Sequence, residues 1–320
     1  MIAGRAVQRF AADLDALLPP GEPLGLAVSG GPDSLALLLL AAAARPGAIA
    51  AASVDHALRE GSRAECEAVA AICRARGIPH DILTIDWPQH PTSALQEQAR
   101  RERYRALGAW AKERGLSAVA TGHHADDQAE TLLMRLVRGA GVRGLAGMRS
   151  VAPMPEATGL VLLRPLLGWR RAELGAILAA AGIKPSDDPS NEDERHERVR
   201  VRHALSAAEW LDPAALAASA AHLAAADEAI EYAVAAEWRR CTIEDESVRY
   251  RPGAAPAEIR RRMVGRAIAA LGHEGDGERL RGGELDRLLA ALEAGRSATL
   301  RGVQASGGDE WCFVPAPVRR

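Results

Sequence analysis

The sequence predicts an α/β protein, a twisted parallel sheet with helices on both faces, followed by a smaller, mainly helical C-terminal domain. Three observations carry this expectation. From Leu24 to about Ile183, short apolar runs alternate with helical patterns, as in a sheet whose crossovers are helices. After His203 the chain turns Ala-rich, with Leu and Ala at helical spacing. The 320 residues exceed a usual single domain, so two are expected. The strands fall at 24–28, 49–54, 81–86, 118–121 and 160–163. Helices fill the intervals at 34–44, 63–76, 93–114, 126–138 and 171–181. From 183 to 202 the periodicity is lost in a polar stretch of turn formers and both charges. The second domain begins with a long Ala-rich helix. A Pro/Gly break at 251–256 then precedes helices at 257–271 and 282–294, and a short hairpin around Gly307–Gly308 closes the chain. The boundary is placed between residues 205 and 206.

Composition narrows the class. Hydrophobic residues at 48% and charged residues at 26% describe an ordinary globular protein, and the net charge of −2 does not announce a nucleic-acid binder. Aromatics at 3% argue against a surface that works by stacking many bases, although six Trp leave room for a few such contacts. Cys66, Cys73, Cys241 and Cys312 form no CxxC and no zinc spacing, which points to a reduced, cytoplasmic setting. The N-terminus carries acids in an amphipathic pattern where a signal peptide needs an apolar core. The longest apolar run is too short to span a bilayer, so no membrane role is expected.

The run LGLAVSGGPDSLALLLL drives a buried strand into a glycine turn that opens an apolar helix. Gly30 and Gly31 permit positive φ and close backbone approach, and Asp33 and Ser34 begin the helix after Pro32. Strand end, turn amides and helix dipole converge where an anion is stabilised. Neither GxxxxGK[ST] nor GxGxxG is present. A capped βα turn without ligand is the plain alternative. SGGPDS after a strand resembles the PP-loop of the ATP pyrophosphatase superfamily. The resemblance implies that Ser29, Gly30, Gly31, Pro32, Asp33 and Ser34 bind ATP, and that the α-phosphate is attacked while pyrophosphate leaves.

Other polar clusters fall on the same strand-end rim, where open α/β sheets bind ligands. VDHALR places Asp55 and His56 for an adenosine and Arg59 for a phosphate, or serves only as a capped turn. Arg100 and Arg103, three apart on a helix, can reach one anion. TGHHADDQAET brings His123, His124, Asp126, Asp127 and Glu130 to a helix start. Asp126 and Glu130 share a face, and these acids suit Mg²⁺ or a substrate ammonium better than simple capping alone. Four glycines from Gly139 to Gly147 make a mobile loop carrying Arg138 and Arg143. Arg198, Arg200 and Arg202 alternate and, if extended, face one side as a clamp for phosphate of ATP or RNA.

In order, SGGPDS, VDHALR, ARRERY, TGHHADDQAETLLMRLVRGAGVRGLAGM, RPLL and DDPSN…RVRVR resemble the tRNA(Ile)-lysidine synthetases, over about residues 24–202 and more weakly beyond. Val199 departs from the Asn common there. The resemblance implies an adenine nucleotide alpha hydrolase-like fold and a carbon–nitrogen ligase using ATP and Mg²⁺. Its substrate is tRNA(Ile) with a CAU anticodon, whose wobble cytidine is adenylated and then attacked by free L-lysine. It casts Asp33, Arg100, Asp127 and Glu130 as catalytic. Asp33 and Asp127 are metal ligands, and Asp55, His56, Arg103, His123 and Arg200 join the loop in holding ATP. His124, Asp126, Asp127 and Glu130 receive lysine, with the division among these acids open. The second domain recognises tRNA, with Arg260, Arg261, Arg262 and Arg266 as candidate backbone contacts, and a homodimer stays open. Another PP-loop tRNA-modifying enzyme, such as a thiolase, is the alternative.

Overall fold

The structure, a computed structural model, describes residues 3–58, 61–87, 95–185, 197–244, 246–272 and 282–317. Arg59, the helix start at 93–94 and the polar stretch 186–196 lie outside the described residues. The chain forms two compact units, 1–224 and 225–320, which part inside a helix (Pro213–Trp238) rather than at 205/206.

In the first unit β1 (Leu24–Ala27), β2 (Ile49–Asp55), β3 (His80–Thr84), β4 (Ala118–Ala120) and β6 (Val161–Leu163) run parallel. At the edge, β5 (Val151–Pro153) pairs antiparallel with β6. The order β3-β2-β1-β4-β6-β5 is decisive for function. The chain moves outward from β1 to β3, then returns to the far side of β1 as β4. That reversal opens a crevice at the carboxyl ends of β1 and β4, the usual place for a ligand in such a sheet. The five expected strands are present with bounds shifted by a residue or two, and β5 is additional. Its Pro153 suits an edge strand.

Helices cover both faces. α2 (Pro32–Ala44) is buried all round from Leu35 to Ala41, sandwiched between the sheet and α1 (Gly4–Asp15) and α7 (Arg171–Ala181). Such a helix is apolar on every side because no face meets water. α3 (Ser62–Arg74) adds Val69 and Cys73 to this core. On the opposite face α4 (Leu95–Glu113) sets Tyr104, Leu107 and Trp110 against Ala50, Ala52 and Val119. The sheet residues are small because the helix side chains are large: a Cβ on Gly25 would stand 2.9 Å from the Trp110 ring. α5 (Ala125–Leu136) follows β4, and α6 (Val142–Leu145) lies in the glycine-rich loop after it.

One expectation is overturned. Arg198, Arg200 and Arg202 do not lie on extended chain, because Glu197–Ala207 forms a helix, α8. Four residues apart, Arg198 and Arg202 share a helix face, while Arg200 lies on another and is exposed.

α9 (Pro213–Trp238) enters the second unit, whose helices α10 (Ala257–Leu271) and α11 (Gly282–Glu293) pack on a five-stranded antiparallel sheet. Its strands are β7 (Thr242–Glu244), β8 (Ser247–Tyr250), β9 (Ser297–Leu300), β10 (Val303–Ser306) and β11 (Trp311–Pro315), ordered β7-β8-β11-β10-β9. The closing hairpin is thus β10–β11, and it belongs to a sheet the sequence reading did not anticipate. Met263, Val264, Ile268, Leu288 and Leu292 bury against Val248, Val303 and Phe313. Among the described residues, no helix is long and apolar enough to cross a membrane.

Candidate active site

The loop after β1 is held by its own hydroxyls. Ser34 Oγ donates to Gly31 O (3.0 Å), leaving its lone pairs for Ser29 N–H (3.2 Å) and the Ser29 hydroxyl (3.3 Å). Gly30 takes φ +87, a left-handed conformation costly for other residues, and Pro32 occupies the first turn of α2. Beneath the loop Ser53 Oγ donates to Val28 O (2.7 Å). It therefore accepts from His80 Nε2 (2.9 Å), whose ring burial keeps below the usual histidine range.

The loop after β4 presses against this cradle. A Cβ at Gly122 would lie 2.8 Å from the carbonyl carbon and oxygen of Asp33 and 2.9 Å from Ser34 N, so only glycine lets the two loops meet. His124 is wholly buried between them. It caps α5: its Nδ1 accepts Asp127 N–H (3.4 Å) and its own N–H donates to Asp127 Oδ2 (3.0 Å). Its Nε2 faces Asp33 Oδ2 at 3.3 Å and Asp127 Oδ2 at 3.5 Å. His124 thus ties the two motifs together. Asp33 Oδ1 is buried without a hydrogen-bond partner.

The acids of α5 are engaged. Asp126 Oδ2 accepts Arg171 N–H (2.8 Å) and Arg170 Nε (3.3 Å), fastening the start of α7. Burial alone would raise the Asp126 carboxyl; the Arg171 amide and the Arg170 guanidinium outweigh it and hold it below its ordinary value. Asp127 Oδ1 accepts Arg198 Nη2 (2.9 Å). Glu130, 1% exposed, accepts Arg198 Nε on Oε2 (2.7 Å) and Arg202 Nε on Oε1 (2.8 Å). Burial again works to raise it, and those two arginines leave it lowered. An ammonium entering between Asp127 and Glu130 would compete with Arg198.

A second cationic group gathers around Tyr104. Arg100 and Arg103 lie over the ring of buried Tyr104, at 4.9 and 5.6 Å. Burial lowers the pKa of Arg103 and of Arg164, and the charge of Arg100 adds to both. His123, bonded to Thr121 Oγ1 at 2.8 Å, is pushed down to about 3 by burial and by the charges of Arg164, Arg198 and Arg100 against Asp127, so it is neutral at pH 7. At the end of β2, Asp55 is buried and its Oδ1 accepts Ala57 N–H (3.0 Å), while Trp87 Nε1 donates to His56 O (2.7 Å).

The glycine loop expected to be mobile is stapled to α5. Gln128 donates to Met148 O (2.8 Å) and accepts Met148 N–H (2.7 Å), and Arg135 Nη1 reaches Gly144 O and Gly147 O.

Comparison with known proteins agrees with this geometry. The PP-loop domain family matches residues 5–209. A tRNA(Ile)-lysidine synthase of Novosphingobium aromaticivorans is 49% identical over 98% of this chain and 95% of its own. One from Zymomonas mobilis is 40% identical over 94% of this chain and 91% of its own. The chain belongs to the tRNA(Ile)-lysidine synthase family. Among solved structures, the U34-tRNA thiolase NcsA from Methanococcus maripaludis, with its [4Fe-4S] cluster, covers 68% of this chain and 78% of its own. Its TM-score is 0.56 at 17% identity, a likeness of fold.

The structure therefore places Ser29 to Ser34, His124, Asp126, Asp127 and Glu130 of this synthase-family chain around one crevice. His123 follows the end of β4 and feels the charge of Arg100, which lies with Arg103 over Tyr104, and Asp55 and His56 stand at the neighbouring strand end. Arg200 is not on the face of α8 that meets Glu130. Gly122, Gln128, Tyr104, Arg164, Arg170 and Arg171 had no role assigned from sequence, and each acts through a partner distant in the chain. Arg262 is a correction: it is buried among Asp227, Glu231 and Glu258 and unavailable to an RNA backbone. Arg260 and Arg261 pair with Glu293 and Asp286, and Arg266 lies over Trp238.

Proposed function

We propose that this protein makes lysidine at the wobble cytidine of a CAU-anticodon tRNA(Ile), from ATP and free L-lysine. The observation that carries the reading is the meeting of Asp33 and Asp127 at one nitrogen, Nε2, of one buried histidine, His124, at the β1/β4 crevice. In the first step the cytosine O2 attacks the α-phosphate, the α–β bond breaks and pyrophosphate leaves. In the second the lysine ε-amine attacks C2, AMP leaves, and the amine gives up its proton.

The amides of residues 29–34 would receive the leaving pyrophosphate. Asp55, His56 and His123 would border the adenosine. Arg100, Arg103 and Arg200 would neutralise phosphate charge. Arg103 and Arg164, held below the usual arginine range by burial, gain most from an arriving phosphate. Among the described residues no group of three or more His, Cys, Asp or Glu is arranged around a metal. Mg²⁺ suits such a site because it takes few carboxylates and completes its shell with water and phosphate oxygens. Asp33, with its unpartnered Oδ1, and Asp127 would hold it, and the ion when bound neutralises phosphate charge. Asp126, Asp127, Glu130 and His124 would border the lysine, Asp126 and His124 through the partners they fix. The second domain would serve tRNA recognition in a cytoplasmic enzyme.

Purified protein with ATP, labelled lysine and the CAU tRNA(Ile) is expected to label that tRNA and to release AMP and pyrophosphate. The elongator methionine tRNA, which shares the anticodon, should remain unlabelled. Sulfur incorporation with no lysine incorporation would replace this reading with that of a thiolase. The four cysteines speak against that outcome, since they form no CxxC pair and Cys66 and Cys73 are buried.

A further inference from the structure

Five of the six tryptophans are buried or half-buried and engaged. Trp87, Trp110 and Trp169 donate to His56 O, Asp81 and Asp13, Trp238 lies under Arg266, and Trp311 meets Tyr250 edge-on at 5.8 Å. Trp210 differs. It is 82% exposed, in the link between α8 and α9.

The link itself is not loose. Leu205 is buried at the end of α8, and Leu211 N–H returns to Ala208 O (2.9 Å), so Trp210 stands on a tight turn. Two residues on, Asp212 Oδ1 accepts Ala214 N–H (2.9 Å), capping α9, and Arg170 Nη1 (3.1 Å). Arg170 in turn grips Asp126, next to His124 and Asp127. The turn that carries the indole is therefore tied, through Asp212 and Arg170, to Asp126 beside His124 and Asp127. Trp210 stands two peptide units, on the order of 7 Å of chain, from the Asp212 carboxylate.

We infer that Trp210 is a stacking platform for an unpaired nucleobase of the RNA substrate, next to the base delivered into the crevice. This rests on the reading of the protein as acting on tRNA. A base that enters a protein pocket leaves its neighbours in the loop unstacked, and an aromatic face is the usual replacement partner. The charges around Trp210 fit a base better than a phosphate: Glu209 and Asp212 flank it, so its contact is with a π-face, while the arginines nearby serve the backbone. A rigid turn adds to the case, because the backbone that carries the ring gives up little freedom on binding.

The test uses full-length protein carrying Trp210→Ala or Trp210→Phe, with an unmodified CAU tRNA(Ile) transcript. Trp210→Ala should raise the KM for tRNA about tenfold, at unchanged KM for ATP and lysine and unchanged Tm, since the ring is 82% exposed. Trp210→Phe should recover most of the loss. An unchanged KM for tRNA in Trp210→Ala overturns the inference. So does a shift from dimer to monomer by light scattering in Trp210→Ala, which assigns the ring to a second copy of the chain. Wild-type protein that labels no tRNA defeats the underlying reading instead, so the two failures are distinct.

Discussion

Asp33 is the residue at which both halves of the site meet. Its backbone lies against Gly122, one oxygen faces His124, and the other is buried without a partner. Asp33→Ala removes a carboxylate from the first turn of α2 and no apolar packing. Pyrophosphate release is expected to fall about 100-fold or more while Tm moves by about 2 °C at most. Release at the wild-type rate, measured with purified variant, ATP and tRNA, would remove Asp33 from the chemistry. Sequence made Asp33 legible because a glycine turn between an apolar strand and an apolar helix has few other uses. It left Gly122 silent, since what excludes a Cβ there is a backbone about ninety residues earlier in the chain. Arg164 opens the RPLL run of the resemblance, but its role was not legible: it is one arginine in a chain with 40 cations, and its significance comes from Tyr104 and Arg100 across the fold.

At the scale of elements, α8 shows how a distant partner decides secondary structure. The string RVRVR has the period of a strand, yet a helix sets Arg198 and Arg202 on one face, where Glu130 accepts both and Val199 is buried. Tertiary pairing overrides the local pattern, and no window of sequence contains Glu130 and these arginines together. The parallel strands were legible because each is a buried apolar run. β7, β8 and β9 were not, being three or four residues long with polar alternation. The pairing also predicts a pH dependence. The Glu130 carboxyl is held below its ordinary 4.5, so its contribution to docking α8 is complete above that value and is lost as pH falls through the lowered one. Protection of the amides of 197–207 against hydrogen exchange, corrected for the intrinsic rate at each pH, should hold from neutral pH to about 5 and fall below about 4.5. In Glu130→Ala the same amides should exchange fast at every pH. That variant is expected to need more lysine, roughly tenfold by KM, with adenylation largely kept. A lost adenylation step would move Glu130 into the ATP or metal site.

On the scale of the whole molecule, each unit has its own core, and the second is organised around a buried cation. Arg262 Nε, Nη1 and Nη2 reach Glu258, Glu231 and Asp227, each at 2.7 Å. Burial opposes its charge, and these three carboxylates raise its pKa above the usual range. Asp227 is itself 5% exposed, so Arg262→Met would take a guanidinium at 2.7 Å away from a carboxylate in the interior. Breaking one partner out of a buried pair costs about 3–5 kcal/mol, a large part of the stability of a small unit. The loss is local, because none of these residues lies in the first unit's core around Leu26, Leu37 and Val69. Scanning calorimetry of Arg262→Met should therefore show the second unit melting first, in a transition separated from that of the first. Between the two transitions the SGGPDS crevice remains, so the protein should still bind ATP while its affinity for tRNA is gone. A single transition that shifts as a whole, with ATP and tRNA binding lost together, would mean that the units fold as one and that the division at residue 224 has no thermodynamic meaning.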